Sequence, residues 1–250
     1  MKISGFLTVA ALFLGVAQVN AATVSMVVMK VSDSATPTGT LIDPFMDWQN
    51  AGGVNEAVIG ASSLTNNGID YKNSWVDTNW SMVQSVRVSM YSQGNEVAWT
   101  EFSPGTSKLD FFQASNVTGS SLTGIAAGPH NFFSIGGDSY YGRNWFVERN
   151  YGGCNVDVGW MAVLNGTNQI CSWSTGNSAV LGNLTRGFLY STDPNGPTNW
   201  NNSNTTGIAD VFAVSITYET AAVPLPASVL LLGTGLAVIG GLRRRNRRRD

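Results

Sequence analysis

Charge is scarce in this chain of 250 residues: Asp, Glu, Lys and Arg together make up 12%, with one histidine and two cysteines. Each shortage excludes something. His130, in AAGPHNFF, is the sole base available to a Ser-His-Asp relay, and no G-x-S-x-G elbow surrounds a serine. A lone histidine in a Gly-Pro loop reads as a surface or satisfied residue, and with two cysteines it makes no zinc set. No P-loop, dinucleotide fingerprint or metalloprotease helix occurs. Asp33, Asp193 and Asp210 stand near Asn- and Gly-rich loops that could give oxygens to calcium, but their spacing fits no defined calcium loop, so turn formation is the expected use. Neither a metal nor a cofactor is expected. Heptads and internal repeats are missing, and helix signals are thin.

What charge there is lies unevenly. Seven of the 14 basic residues fall in 1–21 and 223–250, against one of the 16 acidic ones, which leaves the intervening segment near −8. Such a surface suits solubility and disfavours nucleic acid as a partner. At the start, Met1-Lys2 precedes the uncharged run SGFLTVAALFLGVAQV, and Val19-Asn20-Ala21 before Ala22 offers small residues for cleavage. That is the pattern of a secretory signal peptide over 1–21, cut by signal peptidase between Ala21 and Ala22.

The other end reads VPLPASVLLLGTGLAVIGGLRRRNRRRD. Residues 227–242 carry no charge and as a helix would extend about 24 Å at roughly 1.5 Å per residue, slightly short of a bilayer core of about 30 Å. Pro224 and Pro226 sit where a first helical turn tolerates proline. Arg243, Arg244, Arg245, Arg247, Arg248 and Arg249 follow, a cluster that stays on the cytoplasmic side. A plain C-terminal anchor would need only the apolar run and the arginines. The added Val223-Pro224-Leu225-Pro226-Ala227 signature, in that order before helix and arginines, closely resembles the VPLPA-CTERM branch of the PEP-CTERM sorting signals. The resemblance is confined to this tail. It implies recognition by a membrane-embedded exosortase, an inner-membrane stage, then delivery to the cell surface or extracellular matrix of a Gram-negative bacterium, often alongside exopolysaccharide.

Residues 22–222 remain as one exported domain. Short runs alternate with period two, as in Ser85–Tyr91 and Asp210–Tyr218, while Thr23–Val31, Val97–Phe102, Leu109–Phe112, Asn144–Arg149, Val158–Leu164, Ile170–Trp173 and Gly187–Tyr190 read as further strands. Gly-, Asn- and Ser-rich turns separate them. The best helix is short, over Asp43–Gln49, with Asp43 as cap and Pro44 in its first turn. The expected fold is therefore all-β, an antiparallel β-sandwich, with a jelly-roll or lectin-like shape as its finer form.

Cys154 and Cys171, outside the cell, are expected to form a disulfide worth roughly 3 kcal/mol in the chain-entropy picture, two buried thiols being the alternative. Asn165-Gly166 is a hairpin signal between them, so the bond would staple that hairpin or its neighbouring loop. Most of the eight tryptophans belong in the core. Trp200, in PTNWNNSN, has polar neighbours on both sides and is the tryptophan expected at the surface, where its ring could stack on sugars. The expected function is that of a non-enzymatic surface or matrix protein associated with extracellular polysaccharide. A carbohydrate-binding module is the first rival. A glycoside-active enzyme is the second, with Glu96, Glu101, Asp110 and Glu148 as its available carboxylates.

Overall fold

Alternation builds a strand only where one face meets a core, and Ser85–Tyr91 meets that condition. Val86, Val88 and Met90 are fully buried, while Arg87 and Tyr91 reach solvent from the opposite side. The run lies within β3 (Val83–Ser92). The computed structural model describes residues 22–33, 40, 42–125, 130–136, 143–165, 171–174 and 186–220.

Two antiparallel sheets result. The first has the order β2 (Tyr71–Lys72), β1 (Thr23–Ser32), β12 (Val211–Glu219), β3, β4 (Asn95–Phe102), β5 (Val117–Ser120). The second runs β11 (Thr206–Ala209), β9 (Gly187–Ser191), β8 (Val158–Leu164), β7 (Phe146–Asn150), β6 (Asn131–Phe133), with β10 (Thr198–Asn199) also paired to β8. Val86, Val88, Phe102, Phe212 and Val214 of the first sheet share one apolar cluster with Val147, Met161, Val163 and Phe188 of the second. The sheets therefore pack face to face, as a sandwich does. Phe102, Phe111, Phe112 and Trp145 stack within that core at centroid separations of 5.3–6.2 Å. Each such ring contributes about 1.5–3 kcal/mol by leaving water.

The first and last strands are partners: Thr23 lies opposite Glu219. Just beyond them, the Thr220 amide donates to the Ala22 carbonyl at 2.9 Å. Thr23–Glu219 forms one compact unit. The leader over 1–21, the Val223–Ala227 motif, the apolar run 227–242 and the arginine cluster lie outside the described residues. Among the described residues no helix is long and apolar enough to cross a membrane.

Helix is confined to single turns. Asp43 accepts the amides of Phe45 and Met46 at 2.9 Å each and so opens α1 (Met46–Gln49), and α2 (Val76–Asn79) is equally short. Two expected strands are not strands. Around Leu109–Phe112 the Asp110 carboxylate folds back on the amides of Thr106 and Ser107, closing a turn whose two phenylalanines still reach the core. Cys171–Trp173 instead enters a 3-10 turn over Ser172–Ser174, with the Ser174 hydroxyl donating to the Cys171 carbonyl. Residues 166–170 lie outside the described set, but β8 takes β9 and not this turn as its next partner. Cys154 and Cys171 are joined by a disulfide, and the bond links two loops rather than two strands of a hairpin.

Candidate functional site

The tryptophans separate core from surface. Trp48, Trp145 and Trp160 belong to the inter-sheet cluster, Trp75 and Trp80 pack against it, and Trp173 and Trp200 belong to a second apolar cluster. Trp99 joins neither. The indole N–H groups follow this division only in part, since that of Trp173 is buried without an acceptor among the described residues. Those of Trp48, Trp80, Trp145 and Trp160 donate to backbone carbonyls at 2.7–3.0 Å, and that of Trp200 donates to Glu148 at 3.2 Å. Trp99 bonds through its backbone, to the Ser120 and Ser121 hydroxyls, and its indole N–H has no acceptor among the described residues.

Trp99 stands on the outer face of the first sheet, and the register explains its company. Across β3 and β4, Arg87 faces Glu101 and Ser89 faces Trp99. The pairing shifts between Met90 and Tyr91, where Val97 is the extra residue. Without that bulge Glu96 would point inward; with it, Glu96 faces Tyr91 on the outside. One Glu96 oxygen accepts from Arg87 Nε, the Ser89 hydroxyl and the Tyr91 hydroxyl, and the other takes Arg87 Nη2 at 2.6 Å. Burial pushes this carboxyl up, but the Arg87 and Ser89 hydrogen bonds outweigh it and hold the group below the usual range. Arg87 reaches Glu101 at 3.6 Å and lies 3.9 Å above the centre of the Trp99 ring. The far edge of that ring points over β5 at Gly119, where an added Cβ would come within 3.3 Å of it. From Gly119 an open cleft of about 250 Å³ follows β5 and the next turn, lined by Val117, Thr118, Leu122 and Ile125.

A second cluster is sealed beneath the disulfide, on the far side of the second sheet. Arg143, Glu148 and Asp157 are each at most 1% exposed. Arg143 Nη1 lies 3.2 Å from both carboxylates, and Nη2 donates to the Cys171 sulfur. Its guanidinium sits over the rings of Tyr151 and Trp173, 4.6 Å from each centre. Glu148 Oε2 and Arg143 Nε are buried without a hydrogen-bond partner among the described residues. Burial raises the Glu148 carboxyl to about 8, and Arg143, shared with Asp157, does not bring it back.

Trp200 belongs here and not on the surface, a correction with a plain cause. The ring lies over Gly159 of β8, where a Cβ would meet it at 2.7 Å, and is wholly buried. Its polar neighbours Asn199 and Asn201 turn the other way and bond the carbonyls of Asn155 and Cys154.

The remaining candidates have local work. Asp193 accepts the Asn195 amide within a turn. Asp33 accepts from Asn66, and burial, then the nearby Asp210 charge, raise it to about 6. His130 packs edge-on to Phe132 and Trp160. Among the described residues no three His, Cys, Asp or Glu side chains gather as metal ligands. Asp110 stays in its turn, apart from Glu96 and Glu101, which Arg87 brings together. Searches of protein-family models, curated proteins and solved structures find no match to this chain.

Proposed function

We propose that this is an exported surface or matrix protein without catalytic activity, carried across the inner membrane by the general secretory route. An exosortase-type enzyme then handles its tail, and the domain is displayed among extracellular polysaccharide as a lectin-like sandwich. One observation carries the reading. Thr23 and Glu219 pair at the same end of the first sheet, so the connections to leader and tail both depart from that end. The disulfide supports an oxidising destination.

The carboxylates favour a binding role over a hydrolytic one. A glycoside-cleaving pair needs one carboxyl whose proton is held to neutral pH beside the substrate. Glu148 holds its proton but is 0% exposed, whereas Glu96 meets solvent and is kept ionised by Arg87.

Fractionation of producing cells with intact-mass analysis tests the proposal. The expected surface form begins at Ala22 and lacks the arginines 243–249. A surface form that retains them makes the tail a simple anchor, and a cytosolic protein with its leader uncut overturns the export reading.

A further inference from the structure

We infer that the outer face around Trp99 is a subsite for an uncharged pyranose of an extracellular polysaccharide lying across β4 and β5; the inference rests on the domain being displayed in such a matrix. A pyranose presents an apolar C–H face ringed by hydroxyls, so it needs an aromatic plane with hydrogen-bonding groups at its rim. Trp99 is the tryptophan that adds nothing to either apolar cluster, and its indole N–H is uncommitted among the described residues. Arg87 braces one side of the ring at 3.9 Å. Gly119 keeps the neighbouring strand low, because any side chain there would press on the ring edge. Glu101, more than a third exposed and only 3.6 Å from Arg87, keeps lone pairs for hydroxyls.

The charge chooses the ligand. Arg87 is the only cation on β3, β4 and β5, and Glu96 and Glu101 already neutralise it. No positive group on these strands is left for a uronate or a sulfate, and one negative charge remains in excess. Size chooses between a chain and an enclosed molecule. The adjoining cleft of about 250 Å³ is open and falls below the range of about 300–1,000 Å³ in which small ligands are engulfed. A polymer crossing the Trp99 plane and leaving over Gly119 at the β5 edge, where the cleft begins, fits that shape.

The test is affinity electrophoresis of the full chain in mild detergent through gels containing hydroxyethylcellulose, galactomannan or xylan, with alginate as the anionic comparison. The wild type is expected to be retarded by at least one neutral polymer and not by alginate. Trp99→Ala should weaken that retardation by about tenfold or more, and Gly119→Val should do the same by filling the space beside the ring. Near-UV circular dichroism should show both variants folded, since neither position is in a core cluster. No retardation of the wild type by any neutral polymer, equal retardation of folded wild type and Trp99→Ala, or stronger binding to alginate would each overturn the subsite. Export is read separately by fractionation. Protein found outside the cell that binds no neutral polymer loses the subsite alone; protein that binds but stays in the cytosol loses the display reading alone.

Discussion

Arg87 and Arg143 keep the same company in opposite surroundings. Each lies over an aromatic ring, each is shared by two carboxylates, and each neighbours a tryptophan placed over a strand glycine: Trp99 at Gly119, Trp200 at Gly159. Around Arg87 the side chains are about one-third exposed, and Glu96 stays ionised below the usual range. Around Arg143 exposure is at most 1%, the Arg143–Asp157 pair must offset its own desolvation, and Glu148, 3.2 Å from Arg143, holds its proton to about 8. Composition is nearly constant across the two clusters; access to water is what differs. The wet cluster is suited to exchanging partners, and the sealed one to holding the disulfide layer against the second sheet.

Removing the two arginines breaks the comparison most sharply. Arg143→Ala strands buried charge and should cost about 3–5 kcal/mol in equilibrium denaturation. Arg87→Ala removes a solvated pair and should cost less than about 1 kcal/mol. Equal costs would mean that the sealed cluster is hydrated after all.

The glycines come next. At Gly159 a Cβ would meet both Trp200 and the Val147 carbonyl at 2.7 Å, and backbone cannot retreat, so Gly159→Ala should lose about 1–3 kcal/mol. Gly119→Ala meets only the Trp99 ring edge at 3.3 Å, and its thermal midpoint should stay close to that of the wild type. A larger loss at Gly119 would place Trp99 in a packed environment.

The sealed carboxyl is also read through pH. Glu148 has a folded pKa of about 8, above its ordinary 4.5, so the native state binds the extra proton. Its stabilising contribution is complete below about 4.5 and is lost as pH rises through 8. Asp33, raised to about 6, acts in the same direction over a lower window. Asp77, Glu96 and Asp110 are shifted down and act oppositely, but only toward acid, below the window in which Glu148 titrates. Denaturation midpoints of Glu148→Gln should be flatter than those of the wild type between pH 5 and 8, within about that window. An unchanged slope would show that Glu148 is ionised throughout.

Much of the fold was legible because strand signals are local. β3 and β8 contain the runs read for them, and β12 takes in all of its run but Asp210, since alternating or continuous apolar residues need only a core to face. Leu109–Phe112 misled because two core phenylalanines look like strand content, while the turn depends on Asp110 reaching back to Thr106. The bulge at Val97, which turns Glu96 outward, leaves no mark in the order of residues. Trp200 was misplaced because its asparagine neighbours described the backbone's exposure and not the ring's.

The sequence by itself determined that this would be an all-β domain, with a cysteine pair fit to close a loop, flanked by two segments that read as export signals. Side-chain period, turn residues and hydropathy are properties of neighbours along the chain. Only the tertiary structure decided which tryptophan stands outside both apolar clusters and which carboxyl keeps its proton. Both depend on what another strand places alongside, here a glycine at 119 and another at 159, and no local pattern carries that information.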